Sequence, residues 1–220
     1  MRNRFVILSA MWLVTAVAAI GLASMIWIAH SRELTAAASP TSPLNYNDLS
    51  AESQEGPLPI LFDAPQFALI DQDAKPFSNE QLRGKVWVAD FVFTQCNSLC
   101  PLMTQNMANF QKKTAGSGVQ MVSFSVDPEN DRPPVLKDYA AKNGADESRW
   151  HFLTGTRAQT WAVSEGMKLA VGPDDGKQVF HSSHFLLIDA DGHARGVYDS
   201  NDAGFMNKLV FDATHLHASN

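Results

Sequence analysis

Phe91-Val92-Phe93-Thr94-Gln95-Cys96-Asn97-Ser98-Leu99-Cys100-Pro101 joins an apolar, aromatic and β-branched run to two cysteines and a proline. The run reads as a buried strand. Proline is tolerated in the first turn of a helix, where its missing N–H would have had no partner. The expected order is therefore strand, cysteine-bearing turn, helix. Cys96 and Cys100 are the only cysteines of the chain. Thiols at the exposed end of a strand can ionise, oxidise or hold a soft metal ion, and the residues alone leave all three open. A plain stabilising disulfide is the bland alternative, and one closing so short a loop stabilises little.

Working outward, the strand is expected over residues 86–93 and the helix from Pro101 to about Lys113. Gly116-Ser117-Gly118 then ends the helix before a second buried strand over residues 119–126. Strand, helix, strand implies a parallel crossover. Upstream, residues 66–77 read as a short hairpin turning at Asp71-Gln72-Asp73. Ser78-Asn79-Glu80-Gln81 has the form of a capping box for a brief helical turn closed by Gly84. Downstream, Asp131 is placed to cap a helix from Pro133-Pro134 to about Gly144, and residues 151–153 form a short strand. Thr156-Arg157-Ala158-Gln159 opens a helix to about Met167. Strands over 185–188 and 194–198 flank the Asp-Gly turn signal at Asp189-Ala190-Asp191-Gly192, and a last helix covers about 203–216. The fold class is α/β: a mixed sheet with helices on both faces and a site at the ends of its parallel strands.

Met1-Arg2-Asn3-Arg4 precedes an uncharged, mostly apolar stretch over residues 5–29, long enough to span hydrocarbon. Arg2 and Arg4 favour the cytoplasmic side, which puts everything after His30 across the membrane. A cleaved signal peptide is the rival, but the small residues Ala36-Ala37-Ala38 lie far beyond a short h-region. The expected organisation is an anchor at 1–30, a tether rich in Ala, Ser, Thr and Pro at 31–57, and one domain at 58–220. Setting aside Arg2 and Arg4 leaves 15 basic residues against 23 acidic ones, a formal charge of −8 that does not suit nucleic acid. The short basic start does not look like a long Arg- and Ser-rich presequence, so a bacterial inner membrane is expected, single-pass, with the domain in the periplasm.

Several blocks in order resemble one family. They are Gly84-Lys85-Val86-Trp87-Val88-Ala89-Asp90-Phe91-Val92-Phe93-Thr94 leading into Cys96-x-x-x-Cys100-Pro101, then Ser123-Phe124-Ser125-Val126-Asp127-Pro128, and Leu136-Lys137-Asp138-Tyr139-Ala140. Trp150-His151-Phe152-Leu153-Thr154-Gly155-Thr156 and His181-Ser182-Ser183-His184-Phe185-Leu186-Leu187-Ile188-Asp189 complete the set. In these the chain resembles the SCO/SenC copper metallochaperones, thioredoxin-fold proteins tied to membranes and involved in assembling cytochrome c oxidase. The resemblance implies a thioredoxin-like fold with an N-terminal extension hairpin, preceded by a single transmembrane helix. It also implies copper held by Cys96, Cys100 and a downstream histidine. In the family pattern that histidine is followed by Ser or Thr, a short apolar strand and a turn with Asp and Gly. His181 fits this register, and His184 falls on a variable position. The two differ by an odd number of residues, so in an extended segment they face opposite sides.

Cu(I) favours thiolates, with imidazole a suitable third donor, and the same donors also serve Cu(II). The expected function is therefore a membrane-tethered periplasmic chaperone that delivers copper to the binuclear site of an oxidase subunit. A periplasmic copper donor or a thiol reductase would be a further partner. The competing expectation is a thiol-disulfide oxidoreductase using Cys96 and Cys100 as a redox pair. Against it, three residues separate the cysteines where the usual redox motif has two, and a redox dithiol needs no histidine. A peroxidase-like enzyme rests on fold similarity alone. Of the remaining candidates, Met103 and Met107 read as core, His215 and His217 as a solvated tail. Asp127 reads equally as a turn former and as a residue supporting the site. Arg132-Pro133-Pro134 departs from the family's usual Thr after Asp131, which bears on a helix cap and not on the proposed ligands.

Overall fold

Strand β4 (Trp87–Val92) is buried along its whole length and forms the centre of a six-stranded sheet ordered β1-β8-β7-β4-β5-β6. A computed structural model of the chain describes residues 57–95, 99–168 and 182–218, with residues 99 and 100 described by their backbone only. The expected membrane span at 5–29 and all but the last residue of the expected tether lie outside these residues. No helix among the described residues is long and apolar enough to cross a membrane.

In chain order the elements are β1 (Phe62–Asp63), β2 (Ala68–Ile70), β3 (Pro76–Ser78), a 3-10 turn (Asn79–Leu82), β4, and α1 (Leu99–Lys113). Then follow β5 (Gln120–Ser125), α2 (Pro133–Lys142), β6 (Trp150–Leu153), α3 (Arg157–Gly166), β7 (His184–Ile188), β8 (His193–Asp199) and α4 (Phe205–Ala218). Strands β4, β5 and β6 are parallel neighbours, whereas β7 runs antiparallel to both β4 and β8. The crossovers through α1 and α2 therefore place both helix N-termini where β4 and β5 end.

Alternation along the strands sorts the core into two faces. Trp87, Ala89 and Phe91 of β4, Val122 and Phe124 of β5, and Leu186 and Ile188 of β7 pack with the β2–β3 hairpin and Val163 of α3. Val88 and Val92, Met121, Phe185 and Leu187 pack on the opposite face against Met103, Met107 and Phe110 of α1, Leu136 of α2 and Leu209 of α4. One charge interrupts that second face. Asp90 is fully buried, and its Oδ1 accepts from Ser123 Oγ at 2.5 Å, which in turn accepts from Trp150 Nε1 at 2.9 Å, a chain of bonds across β4, β5 and β6.

The hairpin, the capping box at Ser78 and Gln81, and a second one at Thr156 and Gln159 are formed as expected. Asp131 is the exception. Helix α2 has Arg132 at its N-cap with no side-chain bond, and the Asp131 carboxylate turns inward instead. With Pro at the helix start, one amide that a cap would serve does not exist, and a stronger set of donors waits inside. Strand β1, only two residues long at the edge of β8, was too short to carry a periodicity.

Candidate functional site

Side by side, β4 and β5 run out toward the same edge, and the segment carrying the thiols leaves from β4. Phe93 and Thr94 are half-buried and Gln95 is exposed. Helix α1 begins at Leu99, two residues before the expected Pro101, so Cys100 lies in its first turn and Pro101 fills a position whose amide would have no helical acceptor. A helix N-terminus favours the thiolate over the thiol. The side chain of Cys100 and the whole of Cys96 lie outside the described residues, as does His181.

What fixes the exit of β4 is Asp131. Its Oδ1 accepts from Thr94 Oγ1 at 2.6 Å and from Thr94 N at 3.1 Å, and its Oδ2 accepts from Ser125 Oγ at 2.7 Å. The residue two places before Cys96 is thereby tied to the end of β5 and to the loop before α2. Burial raises the Asp131 carboxyl above its ordinary range against the pull of Thr94 and Ser125, with Asp127 adding to the rise. Asp127 accepts from Asn130 Nδ2 at 2.8 Å within the same loop, and its amide donates to Ser125 Oγ at 3.1 Å. The turn-forming reading of Asp127 is thus met, and the loop it shapes is the one that carries Asp131. The sequence offered Asp131 only as a cap. Its signal was the polar run Ser123, Ser125, Asp127 and Asp131 at the end of an otherwise apolar strand.

Several other candidates resolve clearly. Met103 and Met107 are 1 % and 0 % exposed and belong to the core under β4. His215 and His217 lie in the last turn of α4, where His215 is exposed, as expected of a solvated end, and His217 is half-buried. The His215 ring stacks on Phe211 at 3.8 Å, and the His217 ring lies beside Gly118, where an added Cβ would come within 3.0 Å of it. His184 opens β7 on the face of Leu186 and Ile188, opposite to the face that packs on α1. Its Nδ1 is 2.7 Å from Ser182 Oγ and its Nε2 is 3.9 Å from Asp199. Burial lowers the His184 pKa against the opposing charges of Asp199 and Asp202.

Asp189, Asp191 and His193 also gather potential ligand atoms within 4.8 Å. The oxygens of Asp189 are committed elsewhere. Oδ1 accepts the amides of Asp191 and His193, closing the β7–β8 turn, and Oδ2 pairs with Arg195 at 2.8 Å. Burial opposes ionisation of Asp189, but Arg195 and the His193 amide outweigh it and hold the carboxyl below its usual range.

Comparison with known proteins gives a consistent picture. The family model described as SCO1/SenC matches residues 62–208. The chain is 40% identical over 159 residues to the "SCO1 protein homolog" of Bacillus subtilis, covering 70% of this chain and 82% of that one. It is 30% identical over 164 residues to a protein of Stutzerimonas stutzeri named as a candidate copper-binding protein, covering 71% and 79% of the two chains. Among solved structures, BsSco, described as a Sco-family cytochrome c oxidase assembly protein with a disulfide switch, matches with a TM-score of 0.66. It is 35% identical, and the match covers 76% of this chain and 100% of that one.

Proposed function

Because the chain belongs to the SCO1/SenC family, we propose that it is a membrane-tethered copper chaperone. In this reading Cys96, Cys100 and His181 bind the ion and pass it to the binuclear copper site of a cytochrome c oxidase subunit. The observation that carries the reading is the placement of Cys100 in the first turn of α1, next to the exit of β4 that Asp131 fixes, in a chain matched to this family along residues 62–208. Two thiolates and one imidazole suit Cu(I), whose softness favours sulfur, and the amides of a helix start lower the cost of ionising the thiols. Loading displaces the thiol protons, so affinity rises with pH until the thiols are ionised. Transfer proceeds by ligand exchange: an acceptor sulfur or imidazole enters the low-coordinate site as one chaperone ligand leaves.

Assignment of the third donor to His181 draws on family register and on the engagement of His184 with Ser182 and Asp199, on the face away from α1. Anchoring rests on the apolar stretch at residues 5–29 with Arg2 and Arg4 before it, and places the domain of residues 58–220 in the bacterial periplasm beyond its tether. A second reading is supported by the disulfide switch described for BsSco. In it the Cys96–Cys100 dithiol gives two electrons and two protons to a disulfide of the oxidase subunit, which becomes a dithiol while Cys96 and Cys100 form a disulfide.

The experiment is a Cu(I) competition titration of the reduced full-length chain in detergent without oxygen. Cys96→Ser, Cys100→Ser and His181→Ala are each expected to weaken binding by more than a hundredfold. Affinity unchanged by His181→Ala, together with full disulfide-reducing activity, decides for the reductase.

A further inference from the structure

Strand β6 is the outermost strand on its side of the sheet, and the β2–β3 hairpin closes its free edge. Ile70 and Thr154 exchange backbone bonds, each amide donating to the other's carbonyl at 2.9 Å. Two residues on, the buried side chain of Gln72 reaches over, and its Oε1 accepts from Phe152 N at 2.9 Å. Beside these bonds the half-buried ring of His151 lies against Phe77 of β3, the ring centroids 4.6 Å apart. Its Nδ1 is buried and has no hydrogen-bond partner among the described residues. The charges that act on the ring are Asp71 and Asp73 of the hairpin tip, Lys85 before β4 and Glu147 before β6. Asp71 Oδ1 is committed to the amides of Asp73 and Lys75, and Asp73 pairs with Lys137, which also holds Glu147.

This seat suits an uncharged ring. In the imidazolium both ring nitrogens carry hydrogen, so Nδ1 then holds a donor with no acceptor in reach, whichever nitrogen was protonated before. A charge also enters the apolar contact with Phe77. The acidic groups pull the other way, but burial, with Lys85 adding to it, outweighs them and holds the His151 pKa below its ordinary value. Lifting the hairpin returns the ring to water, where it protonates normally. We propose that His151 is a pH-sensitive latch: neutral, it keeps the hairpin seated on β6, and its protonation lets the hairpin lift and bares that edge. The seating is complete above the ordinary imidazole range and weakens as pH falls through it. Lifting frees the Phe152 amide and the Ile70–Thr154 pair, an unpaired strand edge of the kind that other strands can join. The inference stands apart from the copper reading, since none of these residues belongs to the proposed metal site.

The test is hydrogen–deuterium exchange read by mass spectrometry on the reduced, metal-free full-length chain in detergent, at pH 7 and pH 5, with rates corrected for the intrinsic effect of pH. Peptides carrying Ile70, Phe152 and Thr154 are compared with those of β4 and β5. With the freed ring titrating at its ordinary value, acidification should raise opening of the hairpin severalfold, to a limit of about 25-fold. The ion pair at the hairpin tip does not supply this change, because the bond from Lys137 holds the Asp73 carboxyl below its usual range. Nor does global unfolding, because burial raises the Asp90 carboxyl and so strengthens the fold as pH falls. His151→Phe and His151→Gln, neither of which titrates, should each keep the edge protected at both pH values. Three results overturn the inference: a change below twofold in wild type, a loss shared equally by β4 and β5, or a response that survives in either variant that is seated at pH 7.

Discussion

Asp131 and Asp90 show how two buried carboxylates in one small domain carry different burdens. Asp131 accepts three hydrogen bonds, from Thr94 N, Thr94 Oγ1 and Ser125 Oγ. Asp131→Ala leaves those donors, Ser125 buried and Thr94 half-buried, without this acceptor, at about 1–3 kcal/mol for each buried group left unmet. Its expected outcome is a loss of roughly 2–4 kcal/mol in denaturant unfolding together with weaker copper binding, whereas Asp131→Asn should lose less of both. Asp90 has one oxygen bonded to Ser123 and the other without a partner among the described residues. Burial pushes its carboxyl up to about 7, against the pull of Ser123. The folded state therefore holds this proton more tightly than the unfolded chain does. The stability it contributes is complete below about pH 4 and is lost as pH rises toward 7. Comparing wild type with Asp90→Asn in urea at pH 5 and pH 8 should show the variant gaining on wild type at the higher pH by on the order of a few kcal/mol. A difference that does not change with pH would contradict this. The lone acid in Val86-Trp87-Val88-Ala89-Asp90-Phe91-Val92-Phe93 was visible in the sequence, but its bonds were not, because Ser123 and Trp150 reach it only through the register of three parallel strands.

At the scale of elements, local signals were legible wherever they were self-contained. The two capping boxes and the Asp-Gly turn each depend on residues within a few positions of one another, and each is formed; the crossover spans more of the chain but follows from the order of three strongly patterned segments. The Asp131 cap failed because a distant partner, Thr94, competes for the same carboxylate, and a local rule cannot register a contact across 37 residues. The same limit applies to Gly166, whose role no motif announces. It ends α3 against Pro65, and an added Cβ would lie 2.5 Å from the Pro65 ring. Alanine gains up to about 1 kcal/mol over glycine in helix propensity, but overpacking against a rigid ring costs roughly 1–3 kcal/mol, so packing wins. Gly166→Ala is expected to lower the unfolding midpoint, by about 1 kcal/mol in denaturant titration. A stabilised variant would mean that the Pro65 segment yields freely.

Taken as a whole molecule, the chain brings the ends of β4 and β5, the starts of α1 and α2 and the β4 exit held by Asp131 to one edge, from which the thiol-bearing segment leaves. The family was legible in the sequence because several of its blocks run up to this edge, where Thr94 and Asp131 hold each other, whereas Asp189 closes the turn after β7 at the opposite end of the sheet. The choice between His181 and His184 was legible only as register, since both are histidines ahead of the same apolar strand. The structure adds that His184 is already occupied with Ser182 and Asp199 on the far face of the sheet. The acidic balance of the domain bears on its partners too, since it favours a basic or neutral docking surface over nucleic acid. The most direct test is copper-edge X-ray absorption on the Cu(I)-loaded full-length chain, alongside His181→Ala. The account predicts one copper per chain with two sulfur donors and one nitrogen donor, the nitrogen vanishing in the variant. An all-sulfur set shared between two chains, or a nitrogen that survives His181→Ala, would contradict it.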